Sequence, residues 1–195
     1  MIDQTLIYHS TCIATNSITA AKKTSIPNLY QVDSVFDQNH LVKLKEYVDT
    51  ASPTWTSDFP GRQLVTWDGD TVVEELHDVC NNLTSTIIER FDFDNLNFLG
   101  IQLWRHNPGY HLHWHTDNSI INVALQVYLF DQAPKEYGTL FKHGDQTINV
   151  PYIHNSGYIS VTKKQPGVLH STPYTIEKNY TRYALYAIWS LSEKL

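Results

Sequence analysis

The second half of the chain, from about Phe98 to Trp189, is a series of short runs rich in β-branched and aromatic residues. Glycine, proline and asparagine separate these runs. The runs are residues 122–130, 137–141, 157–162, 166–170 and 181–189. Many short strands divided by turn residues are typical of antiparallel sheets that close into a sandwich or a barrel. The pattern therefore predicts a mainly β fold for this half.

A first helix is predicted in the first half of the chain. Leu41, Leu44 and Val48 recur at helical spacing within residues 39–48. Asp37 precedes them, and an aspartate just before an apolar stripe is a favourable N-cap. The spacing predicts a helix that packs its apolar face on the sheet.

A longer helix is predicted from Thr71 to about Arg90. Thr71 and Glu74 have the spacing of a capping box, in which each side chain bonds the other residue's main-chain N–H. An apolar stripe follows at helical spacing: Val72, Leu76, Val79, Leu83 and Ile87. Such a stripe predicts packing against one face of a sheet.

The segment between the two helices, residues 51–67, predicts a loop or an irregular strand. It is rich in turn-forming and aromatic residues, namely Pro53, Trp55, Pro60, Gly61 and Trp67. Its tryptophans have two interpretations, which are packing in the core and forming the rim of a substrate site. The sequence leaves both open.

Length and charge predict one soluble domain. A chain of 195 residues can bury roughly 70% of its unfolded surface in one core. We therefore expect a single domain over residues 1–195, with helical support and loops in residues 1–97 and the β core in residues 98–190. The net charge is −6, and acidic and basic residues are interspersed. This distribution argues against a nucleic-acid partner.

Cysteine usage and the N-terminal sequence predict a cytoplasmic protein. The separation of Cys12 and Cys80 matches neither a metal-binding motif nor a disulfide framework. No apolar run approaches the ~20 residues that span a bilayer. Residues 1–23 lack the basic start and apolar core of a signal peptide. We expect no membrane association.

The segment 111–117, with the sequence HLHWHTD, carries the most informative polar residues. In an extended strand alternate residues share a face, so His115 and Asp117 can reach one ion, and His170 can arrive from a distant run. Two histidines and one carboxylate leave the opposite side of the ion open, which suits non-haem Fe(II) that activates oxygen. The three residues predict a catalytic metal rather than a structural one.

His111 and His113 lie on the same face of this predicted strand as His115. Either of them can compete as a metal ligand. Alternatively, they line the mouth of a cleft or pack against neighbouring strands. The second interpretation is preferred, because most histidines on strands only form hydrogen bonds.

In order and spacing, residues 98–189 resemble the Fe(II)/2-oxoglutarate-dependent oxygenases, with the small prolyl-hydroxylase-like members nearest. The resemblance implies a double-stranded β-helix, or jelly roll, with the N-terminal helices against one sheet. It implies that His115, Asp117 and His170 bind Fe(II). It also implies that Arg182 binds the far carboxylate of the co-substrate 2-oxoglutarate, which a planar guanidinium can hold with two hydrogen bonds.

Other positions are similar to the family in part. Tyr128, on the run after the histidine segment, matches a tyrosine that touches the same carboxylate. His106 stands where many relatives have a tyrosine, and Gln102, at even spacing from it, is a candidate for part of that contact. The Gly-Gly pair common before the next strand is Tyr137-Gly138 here. The carboxylate-binding arginine is not followed by the second arginine of the nucleic-acid dealkylases, which disfavours that branch.

The activity implied by the resemblance is hydroxylation of an unactivated carbon, in which O2 is consumed and succinate and CO2 are released. We expect a peptidyl substrate, with a prolyl residue preferred, or else a small molecule. Two alternatives stay open: a cupin-like metal protein with another reaction, and a binding module that has lost turnover. The cupin alternative leaves Arg182 without a role.

Overall fold

In the computed structural model, the second half of the chain forms most strands of two antiparallel sheets. The structure describes residues 2–50, 54–65, 70–162, 168–172, 176–177 and 179–191. Within these residues the strands are β1 Lys22–Lys23, β2 Leu29–Asp33, β3 Thr56–Phe59, β4 Arg62–Val65, β5 Asn97–His106, β6 Val123–Leu129, β7 Thr139–His143, β8 Gln146–Val150, β9 Ser156–Val161, β10 Leu169–Ser171 and β11 Arg182–Ser190. The large sheet has the order β1-β2-β9-β6-β11-β5-β4-β3, and the small sheet has the order β10-β7-β8.

The two faces of the large sheet have different neighbours. On β6 the odd-numbered side chains of Val123, Leu125 and Val127 belong to a core cluster shared with the helices. The even-numbered Tyr128 belongs to a second cluster, which includes Phe141 of the small sheet. All seven residues of β6 are buried, because both faces of this central strand are covered. Even-numbered side chains of β6 therefore point into the space between the two sheets.

The helices cover the odd-numbered face of the large sheet. Within the described residues they are α1 Gln4–Thr19, α2 Gln38–Thr50, α3 Thr71–Asn82 and α4 Thr84–Phe91. α2 confirms the helix predicted after Asp37, whose carboxylate accepts the main-chain N–H of Asn39 at 2.7 Å. Among the residues that the structure describes, no helix has both the length and the apolar content that crossing a membrane requires.

The single helix predicted over residues 71–90 is wrong, because two helices, α3 and α4, meet at Leu83. The hydroxyl of Thr84 donates to the carbonyl of Asn81 at 2.7 Å. Local bonds of this kind compete with the helical hydrogen-bond pattern. The apolar stripe predicted along this region is nevertheless buried in full.

The cap of one helix and the presence of another also differ from the prediction. Asp70, rather than Thr71, caps α3, because its carboxylate accepts the N–H of Val72 at 2.9 Å. α1, which Asp3 caps in a similar way, has no counterpart in the sequence prediction. Its serine, threonine and asparagine residues have low helix propensity. Packing stabilises α1 instead, through buried Leu6, Ile7, Ser10, Ala14 and Ile18.

The first half of the chain contributes strands as well as helices. Strands from both sides of residue 97 therefore belong to the large sheet. β1 and β2 extend the large sheet beyond β9, and β4 and β3 extend it beyond β5. β3 and β4 form a hairpin within the segment predicted as a loop or irregular strand. Gly61 turns this hairpin with a φ of +77°, and a Cβ there would lie 2.8 Å from Cα of Tyr110. Pro53 and Trp67 lie outside the described residues.

Candidate active site

A two-way main-chain bridge joins His115 and His170. The N–H of His115 donates to the carbonyl of His170 at 3.0 Å, and the N–H of His170 donates to the carbonyl of His115 at 2.9 Å. β10 carries His170, so the small sheet positions both imidazoles. The strand predicted over residues 111–117 is wrong, since this segment has an isolated bridge and no ladder. At Leu112 only the carbonyl pairs with the main chain opposite, where it accepts the N–H of Thr172 at 3.1 Å, whereas the N–H of Leu112 donates to the hydroxyl of Thr172 at 2.7 Å.

The bridge brings three donor side chains together, and we call His115, Asp117 and His170 the triad. One donor atom from each of them lies within 4.8 Å of the other two. Nε2 of His170 is 3.6 Å from Oδ1 of Asp117. Within the part of the chain that the structure describes, no other group of three such side chains could hold a metal ion.

Both imidazoles of the triad present a lone pair at Nε2. Nδ1 of His115 is 2.8 Å from the carbonyl oxygen of His113, and Nδ1 of His170 is 3.0 Å from that of Val168. A carbonyl oxygen can only accept, so each Nδ1 carries the proton and each Nε2 is available to a metal. Burial, aided by the neighbouring His170, lowers the pKa of His115 and favours its neutral form.

A cavity of about 240 Å³ lies beside the triad. All three residues of the triad line it, and so do two arginines, Arg62 and Arg182. Ligand pockets commonly measure ~300–1,000 Å³, so this cavity suits a small molecule. The three candidate metal ligands and both cations therefore face one cavity.

Arg182 is buried and held by three acceptors. Its Nη1 donates to the carbonyls of Tyr137 and Gly138 at 2.8 and 2.6 Å, and its Nε donates to Nδ1 of His106 at 3.1 Å. Its Nη2 has no hydrogen-bond partner among the described residues. Gly138 itself packs closely on Val150, because a Cβ there would lie 1.9 Å from the carbonyl oxygen of Val150. Arg182 is thus fixed in place, and the two N–H groups of its Nη2 remain for a ligand.

His106 lies between the two arginines of the cavity. It pairs in register with Arg62 of β4 on one side and with Arg182 of β11 on the other. Its ring is fully buried and stacks on Tyr110, with centroids 4.2 Å apart. Burial, together with the charges of both arginines, lowers the pKa of His106 well below its usual value. Because Nδ1 accepts from Arg182, Nε2 carries the proton, and this N–H has no partner among the described residues.

Gln102 and Tyr128 do not line the cavity. The amide oxygen of Gln102 accepts the indole N–H of Trp104 at 2.9 Å. The hydroxyl of Tyr128 donates to that of Thr139 at 2.7 Å, and burial raises the pKa of Tyr128 to about 12. Their hydrogen-bond partners, Trp104 and Thr139, line the cavity instead. The co-substrate contacts expected of Gln102 and Tyr128 stay predictions.

Gln126, Tyr158 and Tyr186 are among the wall residues that have no counterpart in the sequence prediction. They lie in register on the neighbouring strands β6, β9 and β11. The hydroxyl of Tyr158 donates to Oε1 of Gln126 at 3.0 Å. Alternation along a strand could have identified two of them from the sequence. Gln126 lies on the same face of its strand as Tyr128, and Tyr186 lies on the same face as Arg182.

Two side chains of this wall have unpaired polar atoms. Nε2 of Gln126 and the hydroxyl of Tyr186 are buried without a hydrogen-bond partner in the described part of the chain. An unsatisfied buried donor costs about 1–3 kcal/mol. The Gln126 amide therefore fits a cavity whose ligand brings oxygen acceptors, as a dicarboxylic acid does.

The hairpin segment contributes one wall residue and one packing residue. Nε and Nη2 of Arg62 donate to the carboxylate of Asp58. The guanidinium of Arg62 also lies 4.8 Å from the ring centroid of Trp104. Trp55 is not in the cavity wall, and Arg105 lies over its ring at 4.5 Å. This geometry favours the packing interpretation of Trp55, whereas a role for Arg62 has no counterpart in the sequence prediction.

The imidazoles of His111 and His113 lie close to each other and are not part of the triad. Their ring centroids are 4.7 Å apart, and Nδ1 of His111 is 3.5 Å from the hydroxyl of Thr172. Neither histidine belongs to the three-donor group or to the cavity wall. The geometry favours packing near the cleft over metal binding for both.

No protein-family model matches the chain, and no curated protein matches it. Solved structures do match. A prolyl hydroxylase from Trichoplax adhaerens, in complex with a peptide fragment of the hypoxia inducible factor oxygen degradation domain, has a TM-score of 0.68 and 12% identity over 96% of this chain and 91% of that chain. HygX from Streptomyces hygroscopicus, with nickel, 2-oxoglutarate and hygromycin B bound, has a TM-score of 0.65 and 12% identity over 85% and 84%.

A 2OG-Fe(II) oxygenase family oxidoreductase from Burkholderia pseudomallei also matches, with a TM-score of 0.65 and 10% identity over 97% of this chain and 92% of that chain. At such low identity the likeness establishes the fold alone. The mainly β class and the jelly roll predicted from the sequence are confirmed. The chain has the double-stranded β-helix fold of the 2-oxoglutarate-Fe(II) oxygenases.

Proposed function

We propose that this chain is an Fe(II)- and 2-oxoglutarate-dependent dioxygenase that hydroxylates an unactivated carbon of its substrate. The observation that carries the proposal is the triad, whose two imidazoles present Nε2 lone pairs beside a carboxylate in the wall of a small cavity. When bound, Fe(II) and 2-oxoglutarate supply the oxygen activation that amino-acid side chains lack, with succinate and CO2 as the other products.

His115, Asp117 and His170 would hold the Fe(II). Two histidines and one carboxylate suit this ion and leave coordination positions open for O2 and a co-substrate. The carbonyls of His113 and Val168 keep both imidazoles in the metal-binding tautomer. Outer contacts of this kind orient the ligands and raise their basicity.

Arg182 would bind the distal carboxylate of 2-oxoglutarate. Its Nε and Nη1 are occupied by the protein and Nη2 is left over, so the guanidinium is already oriented for a ligand in the cavity. Hydrogen bonds between a guanidinium and a carboxylate are stronger than neutral ones. Thr139 would assist, because its oxygen accepts from Tyr128 and its own hydroxyl donates to no acceptor among the described residues.

For the substrate we propose a peptidyl residue, with a prolyl residue as first choice and a small molecule as second. A cavity of about 240 Å³ has little space beyond the co-substrate, so the reacting carbon would enter from the mouth. Trp114 and Leu169, the chain neighbours of His115 and His170, are 44% and 43% exposed, and in this proposal they offer apolar surface to the substrate. Of the solved structures with this fold, one holds a peptide fragment and one holds hygromycin B. We place the enzyme in the cytoplasm, where iron stays ferrous.

Anaerobic spectroscopy tests the proposal. Adding 2-oxoglutarate to the Fe(II) protein should produce a weak visible charge-transfer band, because the triad would leave positions on the ion for a 2-oxo acid. Admission of O2 should then yield succinate. Asp117→Ala, prepared in parallel, should show neither signal. A wild-type protein that holds iron but gives no band would indicate a cupin-like metal protein instead.

Mass spectrometry then addresses the substrate. Prolyl peptides, other peptides and small metabolites are incubated with the active protein, and the products are searched for the gain of one oxygen atom. Oxygen gained by a prolyl peptide and lost with Asp117→Ala supports the first choice. Oxygen gained only by small molecules contradicts it.

A further inference from the structure

Tyr186 places an unpaired hydroxyl beside the triad. Its side chain lies on the inner face of β11, in register with Gln126 on one side and Gln102 on the other. The residue is 5% exposed. Tyr186 and Asp117 both line the cavity, and the Tyr186 hydroxyl is buried there without a hydrogen-bond partner among the described residues. A buried phenol donor therefore stands next to a candidate metal ligand.

The ring of Tyr186 is fixed from one side. It stacks on Trp104 with centroids 4.4 Å apart and planes at 21°. Trp104 is held in turn, because its indole N–H donates to Gln102 at 2.9 Å and the guanidinium of Arg62 lies over it at 4.8 Å. The stack leaves the hydroxyl little freedom to turn away from Asp117.

Asp117 is the member of the triad that lacks a partner for orientation. His115 and His170 each use Nδ1 on a main-chain carbonyl. By contrast, no hydrogen bond between described residues reaches the Asp117 carboxylate, and its 3.6 Å contact with Nε2 of His170 is too long for one. A carboxylate that gives one oxygen to an ion has a second oxygen available as an acceptor.

We propose that Tyr186 is a positioning residue that donates its hydroxyl to the Asp117 carboxylate and so orients one carboxylate oxygen toward the metal. This inference rests on the proposed function, because it needs the triad to bind an ion. It adds a partner for the third ligand, as the carbonyls of His113 and Val168 are partners for the two imidazoles. Loss of such an outer contact typically weakens metal binding by about 10- to 100-fold.

Tyr186→Phe is the sharp test, because it keeps the ring and its stack on Trp104 and removes only the hydroxyl. Tyr152→Phe is the matched control. It also removes a buried phenol hydroxyl, one that donates to the carbonyl of Leu129 and does not line the cavity. Both variants and the wild type are stripped of metal and compared by thermal melting, so that any general loss of stability is seen separately.

Mn(II) and Co(II) are then titrated into the full-length metal-free proteins by calorimetry, and the visible spectrum of bound Co(II) is recorded. We expect Tyr186→Phe to bind both ions about 10- to 100-fold more weakly and to change the Co(II) spectrum. Tyr152→Phe should match the wild type in both. Equal affinity and an unaltered spectrum in Tyr186→Phe would overturn the positioning role. A wild type that binds neither ion would instead overturn the metal site itself.

Discussion

Nε2 of His170 lies 3.6 Å from Oδ1 of Asp117. This separation is too long for a hydrogen bond. It is short enough for two ligands of one ion, since each ligand atom would lie about 2.0–2.2 Å from a transition metal. With His115 bridged to His170 through the main chain, the third donor is held in the same place. The geometry leads to a direct test of metal binding.

Replacement of one triad residue should remove the metal. Asp117→Ala or His170→Ala leaves two protein ligands, which rarely hold a labile divalent ion. We expect affinity for Fe(II) to fall by more than the ~10- to 100-fold that loss of an outer contact costs. Elemental analysis after anaerobic loading with Fe(II) measures the effect.

Two nearby histidines provide the matched control for this experiment. His111→Ala and His113→Ala also remove an imidazole from the same segment, but both lie outside the three-donor group. They should keep nearly the full iron content. Loss of iron in either of them, or retained iron in Asp117→Ala, would mean that the ligands are wrongly assigned.

Arg182→Ala should raise the 2-oxoglutarate requirement strongly while iron stays bound. If the guanidinium pairs with the distal carboxylate in the cavity, its removal leaves that carboxylate buried and unpaired. The cost is roughly 2–5 kcal/mol, or about 30-fold to several thousand-fold in affinity. The measurement is the 2-oxoglutarate concentration that gives half-maximal succinate production.

Arg182 also has a structural role, so a second substitution is needed. Alanine leaves the carbonyls of Tyr137 and Gly138 without their donor. Arg182→Lys keeps the charge and loses the planar pair of donors, and it should fall between the wild type and Arg182→Ala. Circular dichroism checks the fold of both variants. A folded, iron-loaded Arg182→Ala protein with an unaltered 2-oxoglutarate requirement would limit Arg182 to the structural role.

The residues with the clearest chemistry could be predicted from the sequence. His115 and Asp117 follow from a two-residue spacing, and His170 and Arg182 lie on or next to runs with a strong β pattern. Tyr186 could not be predicted in the same way. A polar residue within a β run is usually a solvent-facing position, and alternation shows which residues share a face without showing which face is enclosed.

The same holds for the fold: elements with a strong local sequence pattern could be predicted, whereas elements that depend on distant contacts could not. The runs that became β6 and β11 carry their own β-branched and aromatic residues. β2, in contrast, pairs with β9 from a remote part of the chain. Strand pairing depends on such distant neighbours more than on intrinsic preference. The helix α1 is similar, because burial of Ala14 and Ile18 stabilises a segment of low helix propensity.

Tyr128→Phe should act on stability more than on co-substrate binding. The resemblance assigns Tyr128 to the co-substrate carboxylate, but the structure directs its hydroxyl to Thr139 at 2.7 Å. Loss of this hydrogen bond should lower the free energy of unfolding by about 0.5–1.5 kcal/mol. The 2-oxoglutarate requirement should rise far less than in Arg182→Ala. An increase as large as that of Arg182→Ala would establish direct contact by Tyr128.

Two buried histidines make the stability of the metal-free protein depend on pH. His40 and His106 are both fully buried. Burial lowers the pKa of His40, although Glu75, 3.3 Å away, acts in the opposite direction. Burial and the charges of Arg182 and Arg62 lower the pKa of His106 further. In the unfolded chain both imidazoles would instead take up protons near the ordinary pKa of about 6.5.

We expect the metal-free protein to lose stability as the pH falls below about 6.5. At such a pH His40 and His106 bind protons in the unfolded chain but remain neutral in the folded protein. Above that pH the two histidines do not reduce the free energy of unfolding. Below it, each histidine lowers the free energy of unfolding by up to about 1.4 kcal/mol per pH unit, until the pH reaches the pKa of that histidine in the folded protein. Urea unfolding in EDTA between about pH 7.5 and 5.5 measures the slope. His40→Gln should reduce the slope, whereas His143→Gln, at an exposed position, should not. An undiminished slope in His40→Gln would show that His40 takes up its proton as readily in the folded protein as in the unfolded chain.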